Sequence, residues 1–315
     1  MVSETSQAGA VAVSPSGEFV ASVTTQGDAI RIWQVSDKAT AAVLPCPFPV
    51  MSMAFSPDAR WLAASLVDGR EVVTKNGARS FEPTAASRRI YLWSLRDRGV
   101  TRLIFPDGKS PTNCPIAFTA DGDMVALLSS GTSGTLVARH TKNDEITLPL
   151  GPHPCVRDFE PCHFRATFSG DASVVAVGRE DKEGALELWS LEGRRLVTLE
   201  EHARCDAFAI SSELVAGAIP PATIRLWSRK TGELVGDIES PDRTWTLAFS
   251  PAGDVLAAAG LGGVVHVYDV ATRSVRATLQ GHDGSVRALA FSPKGDELVS
   301  ASSDGTVRVW SLEDN

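Results

Sequence analysis

The sequence predicts an all-β chain made of seven similar antiparallel units, and three observations carry that expectation. A hydrophobic tetrapeptide ending in an aromatic residue keeps returning. A turn built on Ser or Thr recurs ahead of it, and no long amphipathic helix interrupts the series. The last four aromatic anchors, Trp189, Trp227, Tyr268 and Trp310, stand 38, 41 and 42 residues apart. Self-similarity at such a period marks a supersecondary unit that buries its apolar face only against its neighbours.

The units follow in order. The first has an inner strand at Ala8 to Val13, the turn Ser14-Pro15-Ser16-Gly17 and the anchor IRIW, Ile30 to Trp33. The second has Ser56-Pro57-Asp58-Ala59 and IYLW, Ile90 to Trp93. In the third, Thr119-Ala120-Asp121-Gly122 precedes a degenerate anchor, TLVAR, Thr135 to Arg139. The fourth pairs Ser169-Gly170-Asp171-Ala172 with LELW, and the fifth Ser211-Ser212-Glu213 with IRLW. The sixth has Ser250-Pro251-Ala252-Gly253 and VHVY. The seventh is the clearest: Gly281-His282, a run Val286 to Phe291, the turn Ser292 to Gly295, a run Leu298 to Ser302, Asp304-Gly305, then Val307 to Trp310. Short alternating runs joined by Gly, Pro and Asp turns are antiparallel strands in a meander.

Composition narrows the function. A net charge of −8 over 315 residues argues against a phosphate backbone as the main partner, since such binding needs clustered Lys and Arg. No window reaches the roughly 18 apolar residues of a membrane span. Met1 to Gln7 has neither the basic nor the apolar region of a secretory signal. Five irregularly spaced cysteines form no disulfide framework, so a cytoplasmic chain with reduced thiols is expected.

On these anchors and turns the chain resembles the WD-repeat (WD40-type) family, as a divergent member. The resemblance covers essentially the whole chain. It implies a single domain, 1–315, folded as a seven-bladed β-propeller of four-stranded antiparallel blades, with blade anchors at Trp33, Trp93, Arg139, Trp189, Trp227, Tyr268 and Trp310. It also implies a structural hydrogen-bonded tetrad in the last blade: His282, Ser300, Asp304 and Trp310. Other blades depart from it: Tyr268 replaces the Trp, blade three lacks the aromatic, and His202 survives where the Asp position falls at Pro221. Only a few residues follow Trp310, so the last blade needs an outer strand from elsewhere. By family analogy the N-terminal strand closes the ring, with Val2 and Thr5 pairing onto Val307 to Trp310.

Three irregularities are candidate sites. The 60-residue interval from Trp33 to Trp93 contains an insertion, residues 68–89, with Arg70, Lys75 and Arg79 among its cations. It reads either as a solvated hairpin or loop, or as a basic finger for an acidic partner. Residues 150–164 hold His153, Cys155, Cys162 and His163, ligand types for zinc at a spacing that fits no standard finger. No metal is expected there. The third comes from register: four residues before the end of each inner strand lie Gly9, Met51, Cys114, Phe164, Asp206, Trp245 and Arg287. The resemblance places this ring at the mouth of the central channel. Trp, Phe, Met and Arg are enriched at binding hot spots. The same residues also suit packing between blades.

No catalytic constellation appears: there is no G-x-S-x-G, no phosphate loop before a helix and no H-E-x-x-H. The expectation is a non-catalytic scaffold without cofactors, binding a protein partner or peptide segment through Met51, Phe164, Asp206, Trp245 and Arg287, with Arg70, Lys75 and Arg79 as a second contact. Alternatives are a sensing domain facing an attached NTPase, kinase or protease, or a hydrolase at the channel mouth.

Overall fold

The computed structural model describes residues 10–24, 29–37, 39–46, 50–73, 79–96, 100–104, 116–122, 124–130, 135–140, 164–179, 185–191, 194–201 and 205–312. They form an all-β propeller of four-stranded antiparallel blades. The first blade holds β1 (Val11–Val13), β2 (Phe19–Val23), β3 (Ala29–Gln34) and β4 (Thr40–Pro45). The second holds β5 (Val50–Phe55), β6 (Trp61–Val73), β7 (Arg79–Ser94) and β8 (Val100–Ile104). In the third, β9 (Ile116–Phe118), β10 (Met124–Ser130) and β11 (Thr135–His140) are described. The fourth runs β12 (Phe164–Phe168), β13 (Val174–Arg179), β14 (Ala185–Ser190) and β15 (Arg195–Glu201). The fifth has β16 (Ala207–Ile210), β17 (Leu214–Ile219), β18 (Thr223–Ser228) and β19 (Leu234–Glu239). The sixth has β20 (Thr244–Phe249), β21 (Val255–Gly260), β22 (Val265–Asp269) and β23 (Ser274–Leu279). The last sheet is β24 (Val286–Phe291), β25 (Glu297–Ser302) and β26 (Val307–Ser311). Among the described residues no helix is long and apolar enough to cross a membrane.

Among the described residues five sheets carry four strands and two carry three, so the expected seven four-stranded blades are seen only in part. Residues 141–163, which follow β11, and residues 1–9, expected to supply the closing strand, lie outside the described residues. On β26 Val309 is 38% exposed, while Leu226 and Val267, its counterparts one residue before the anchors of β18 and β22, are fully buried.

Burial explains the repeat. In the fifth and sixth blades the second strand is buried on both faces, because blades pack on either side of it; every residue of β21 is buried. Ile224 and Leu226 of the fifth blade share one core with Leu247 and Leu256 of the sixth. Trp227 sits with Leu186 and Leu188 of the fourth. A unit taken alone would leave one of these faces wet.

One edge of the propeller is pinned by the recurring Ser. Ser14, Ser56, Ser250 and Ser292 each accept, at 3.0 Å, the backbone N–H that opens the second strand: Phe19, Trp61, Val255 and Glu297. In three of them the hydroxyl donates to a turn Asp, Asp58, Asp254 or Asp296. Neighbouring turns stack. A Cβ built on Gly295 would meet Pro251 Cδ at 3.5 Å, and one built on Gly17, in the first blade, would meet Pro293 Cδ of the last sheet at 3.4 Å. Strand β1 also lies against β24 and β25.

The insertion in the second blade takes the hairpin form among its expected readings. Residues 68–89 continue β6 and β7 as a paired ribbon, from Gly69 opposite Pro83 to Val73 opposite Arg79. Strand β5 reaches only Leu66 and β8 only Arg89. The ribbon therefore projects beyond the sheet as a two-stranded arm.

Candidate functional site

Opposite the Ser turns, the loops entering the inner strands meet the turns between second and third strands. A Cβ on Gly263 would lie 2.6 Å from His282 O, and one on Gly284 would lie 2.8 Å from Asp304 N. These loops thus share one face, and among the predicted ring residues Met51, Phe164, Asp206, Trp245 and Arg287 stand at the starts of the inner strands β5, β12, β16, β20 and β24.

The backbone singles them out. In β20, Thr244 faces Gly260 and Thr246 faces Ala259, which leaves Trp245 as an extra residue. In β24, Val286 faces Ser302 and Ala288 faces Ala301, leaving Arg287. In β5, Val50 faces Leu66 and Ser52 faces Ser65, leaving Met51. A β-bulge re-aims the side chain it inserts and ends regular pairing. Three equivalent positions in three blades carry the same device. Asp206 is close to it: its N–H donates to Ala218 O at 2.7 Å, although Ala218 already faces Ala207. Phe164 opens β12 opposite Arg179 with no shift of register. Gly9 and Cys114 lie outside the described residues.

The side chains of two neighbouring blades meet here. Arg287 lays its guanidinium over the Trp245 indole, Cζ 4.5 Å from the ring centroid. Such a contact is worth about 0.5–2 kcal/mol, more as water is excluded. Arg287 Nε is buried and has no hydrogen-bond partner. One blade earlier the pattern repeats in another chemistry. Asp206, 2% exposed, accepts a 2.6 Å ion-paired hydrogen bond on Oδ2 from Arg243 Nε, while Oδ1 has no partner. Arg243 reaches across from the sixth blade and remains 44% exposed. The hydrogen bond to Asp206, then its charge, raises the Arg243 pKa above its ordinary value against the opposing effect of desolvation.

In the last blade, Trp310 Nε1 donates to Ser300 Oγ at 2.8 Å, and Ser300 Oγ lies 2.7 Å from His282 Nε2. His282 Nδ1 is 2.9 Å from both Asp304 Oδ2 and Thr306 Oγ1. The four residues singled out for this blade are therefore in one network, joined by Thr306. The pattern of the WD domain, G-beta repeat, matches residues 40–70, 232–269 and 273–311. Three WD repeats thus lie on an all-β propeller, which is consistent with a WD-repeat propeller. No curated protein matches it significantly. Each of the three matched WD repeats contains one of the bulge residues, Met51, Trp245 or Arg287.

Other blades of the propeller solve the anchor differently. In the first, Trp33 Nε1 donates to Ser22 Oγ at 3.0 Å, as in the last. In the fourth, Trp189 Nε1 donates to buried Glu187, which also pairs with Arg195 at 3.1 Å. Tyr268 of the sixth is buried in the same role. The sequence held a signal for the fourth, since LELW places a carboxylate two residues before the indole. It held none for the Asp206–Arg243 pair, whose members are 37 residues apart.

For the remaining candidates, Arg70 lies opposite Glu82 and Arg79 opposite Val73 in the arm, while Lys75 lies outside the described residues. Residues His153, Cys155, Cys162 and His163 also lie outside them. Among the described residues no group of His, Cys, Asp or Glu is arranged to hold a metal ion. WD-repeat propellers are generally scaffolds for protein–protein interaction.

Proposed function

We propose that this propeller is a non-catalytic, cytoplasmic interaction module that binds a segment of a partner protein at the channel mouth on its loop-rich face. The observation that carries the reading is the Arg287–Trp245 pair. Two bulge residues from adjacent blades present a partly exposed aromatic and a cation at one point of the rim. Aromatic and Arg side chains of this kind supply most of the affinity in protein interfaces. The rigid sheets beneath hold them in place, so binding orders little that is not already ordered. The arm of β6 and β7, with Arg70 and Arg79 and the adjoining Lys75, is the second contact in this reading.

Two supports favour a single ring in which the first blade meets the last sheet: the approach of Pro293 to the Gly17 turn, and β1 lying against β24 and β25. The test of function is affinity capture. The intact chain retains a specific partner that Trp245→Ala and Arg287→Ala lose while both variants still unfold in a single cooperative transition as the parent does. Equal capture by all three proteins removes the mouth from the function.

A further inference from the structure

The mouth leaves specific polar valences open, and they point to the chemistry of the segment. Among the described residues Arg287 makes no ion pair, and its guanidinium lies on the Trp245 face. Stacking fixes the plane of its guanidinium, whose fork of donors matches a carboxylate in two parallel hydrogen bonds. Arg243 spends its Nε on Asp206. Asp206 keeps Oδ1 as a dehydrated acceptor with nothing to accept.

A cationic ligand fits this set poorly. The Trp245 face is already covered by Arg287, and the charge of Asp206 is already offset by Arg243. A phosphate dianion fits poorly too, because the exposed Asp242 and Asp283 stand in the two loops that flank the rim. A single carboxylate matches in charge and shape. We propose that the bound segment places an Asp or Glu side chain on Arg287, and that a backbone N–H of the same segment donates to Asp206 Oδ1. This rests on the mouth being the binding face. Trp245 is then the residue that orients Arg287, and its conservative replacement by Phe keeps part of the effect.

The experiment is a selection of phage-displayed random peptides on the intact chain, followed by fluorescence anisotropy with the enriched peptides resynthesised as C-terminal amides. Enriched peptides share an Asp or Glu. Its replacement by Asn or Gln weakens binding at least about tenfold on the parent. On Arg287→Gln the same replacement changes nothing, and Arg287→Lys is intermediate. Melting curves of the variants match the parent. Peptides that need Trp245 but carry no coupled acid overturn the carboxylate and leave the mouth as a binding face. Peptides that bind only as free C-terminal acids replace the side chain by a chain terminus as the source. Selection that yields no peptide dependent on Trp245 overturns the mouth itself and this inference with it.

Discussion

His282 Nδ1 lies 2.9 Å from Asp304 Oδ2, a hydrogen bond closed inside the last blade. With a proton on Nδ1 the network runs one way: Trp310 donates to Ser300, Ser300 donates to His282 and His282 donates to Asp304. Burial works to raise the Asp304 pKa. The hydrogen bonds from the Thr306 side chain and backbone, the Asp283 backbone and His282 outweigh it, holding the carboxyl well below the usual range. A depressed folded-state pKa gives stability that is complete above the unfolded value, about 3.9, and is lost as pH falls below it. Asp304→Asn therefore costs about 1–3 kcal/mol at pH 7. That gap shrinks by about 1 kcal/mol near pH 3. Urea denaturation at both pH values reads it, and a gap unchanged by acid refutes the assignment.

Anchoring and rim aromatics differ in what they hold. Trp227 is 1% exposed and fills the core between the fourth and fifth blades. Trp227→Ala costs about 3–5 kcal/mol. Trp245 is only partly buried, and Arg287→Ala removes a contact worth about 0.5–2 kcal/mol. Differential scanning calorimetry should rank the two far apart. Similar losses would make the rim pair part of the core.

Much of this was legible in the sequence. Anchors such as Trp227 and Trp310, turns such as Ser250 to Gly253, and the His282 network all come from residues at fixed short spacing inside one blade. The bulges were not legible, because Trp245 and Arg287 obey the same alternation as a regular strand would. Nor was their contact, which depends on two blades lying side by side. The hairpin reading of the insertion could not be separated from a loop in the sequence, because its charged residues, Arg70 and Glu82 among them, give no apolar strand alternation.

Gly260 tests how the rim is held. A Cβ at this position would lie 1.9 Å from the carbonyl oxygen of Arg243, too close for anything but backbone movement. Gly260→Ala must displace the loop that pairs Arg243 with Asp206, at a cost of about 1–3 kcal/mol. Gly170 has nothing within 4 Å of the same construction. Gly170→Ala is neutral or gains about 0.4–1 kcal/mol through the unfolded chain. Equal melting of the two variants would contradict the packing.

Two turns carry alanine in the left-handed region, Ala59 at φ 53° and Ala172 at φ 52°. An L-residue there costs about 1–2 kcal/mol, against about 0.4–1 kcal/mol of added chain entropy when glycine replaces it. Ala59 is partly exposed, so Ala59→Gly should stabilise by up to about 1 kcal/mol. Ala172 is fully buried, and the methyl it would lose is worth about 0.8 kcal/mol. Ala172→Gly is therefore close to neutral. Chemical denaturation of both variants separates strain from burial.

The arm should be dispensable for folding. From Gly69 to Pro83 its strands pair only with each other. A two-stranded ribbon adds little stability of its own. Joining Val67 to Arg88 through Asn-Gly, the residues that suit a two-residue hairpin turn, keeps every pair from Leu62 to Leu66. The shortened chain should melt within about 2–4 °C of the parent, the shift that about 1 kcal/mol produces in a large domain. Its peptide selection at the mouth should be unchanged, while capture of a folded partner weakens. A collapse in melting temperature would show that the arm packs on the propeller instead of reaching outward.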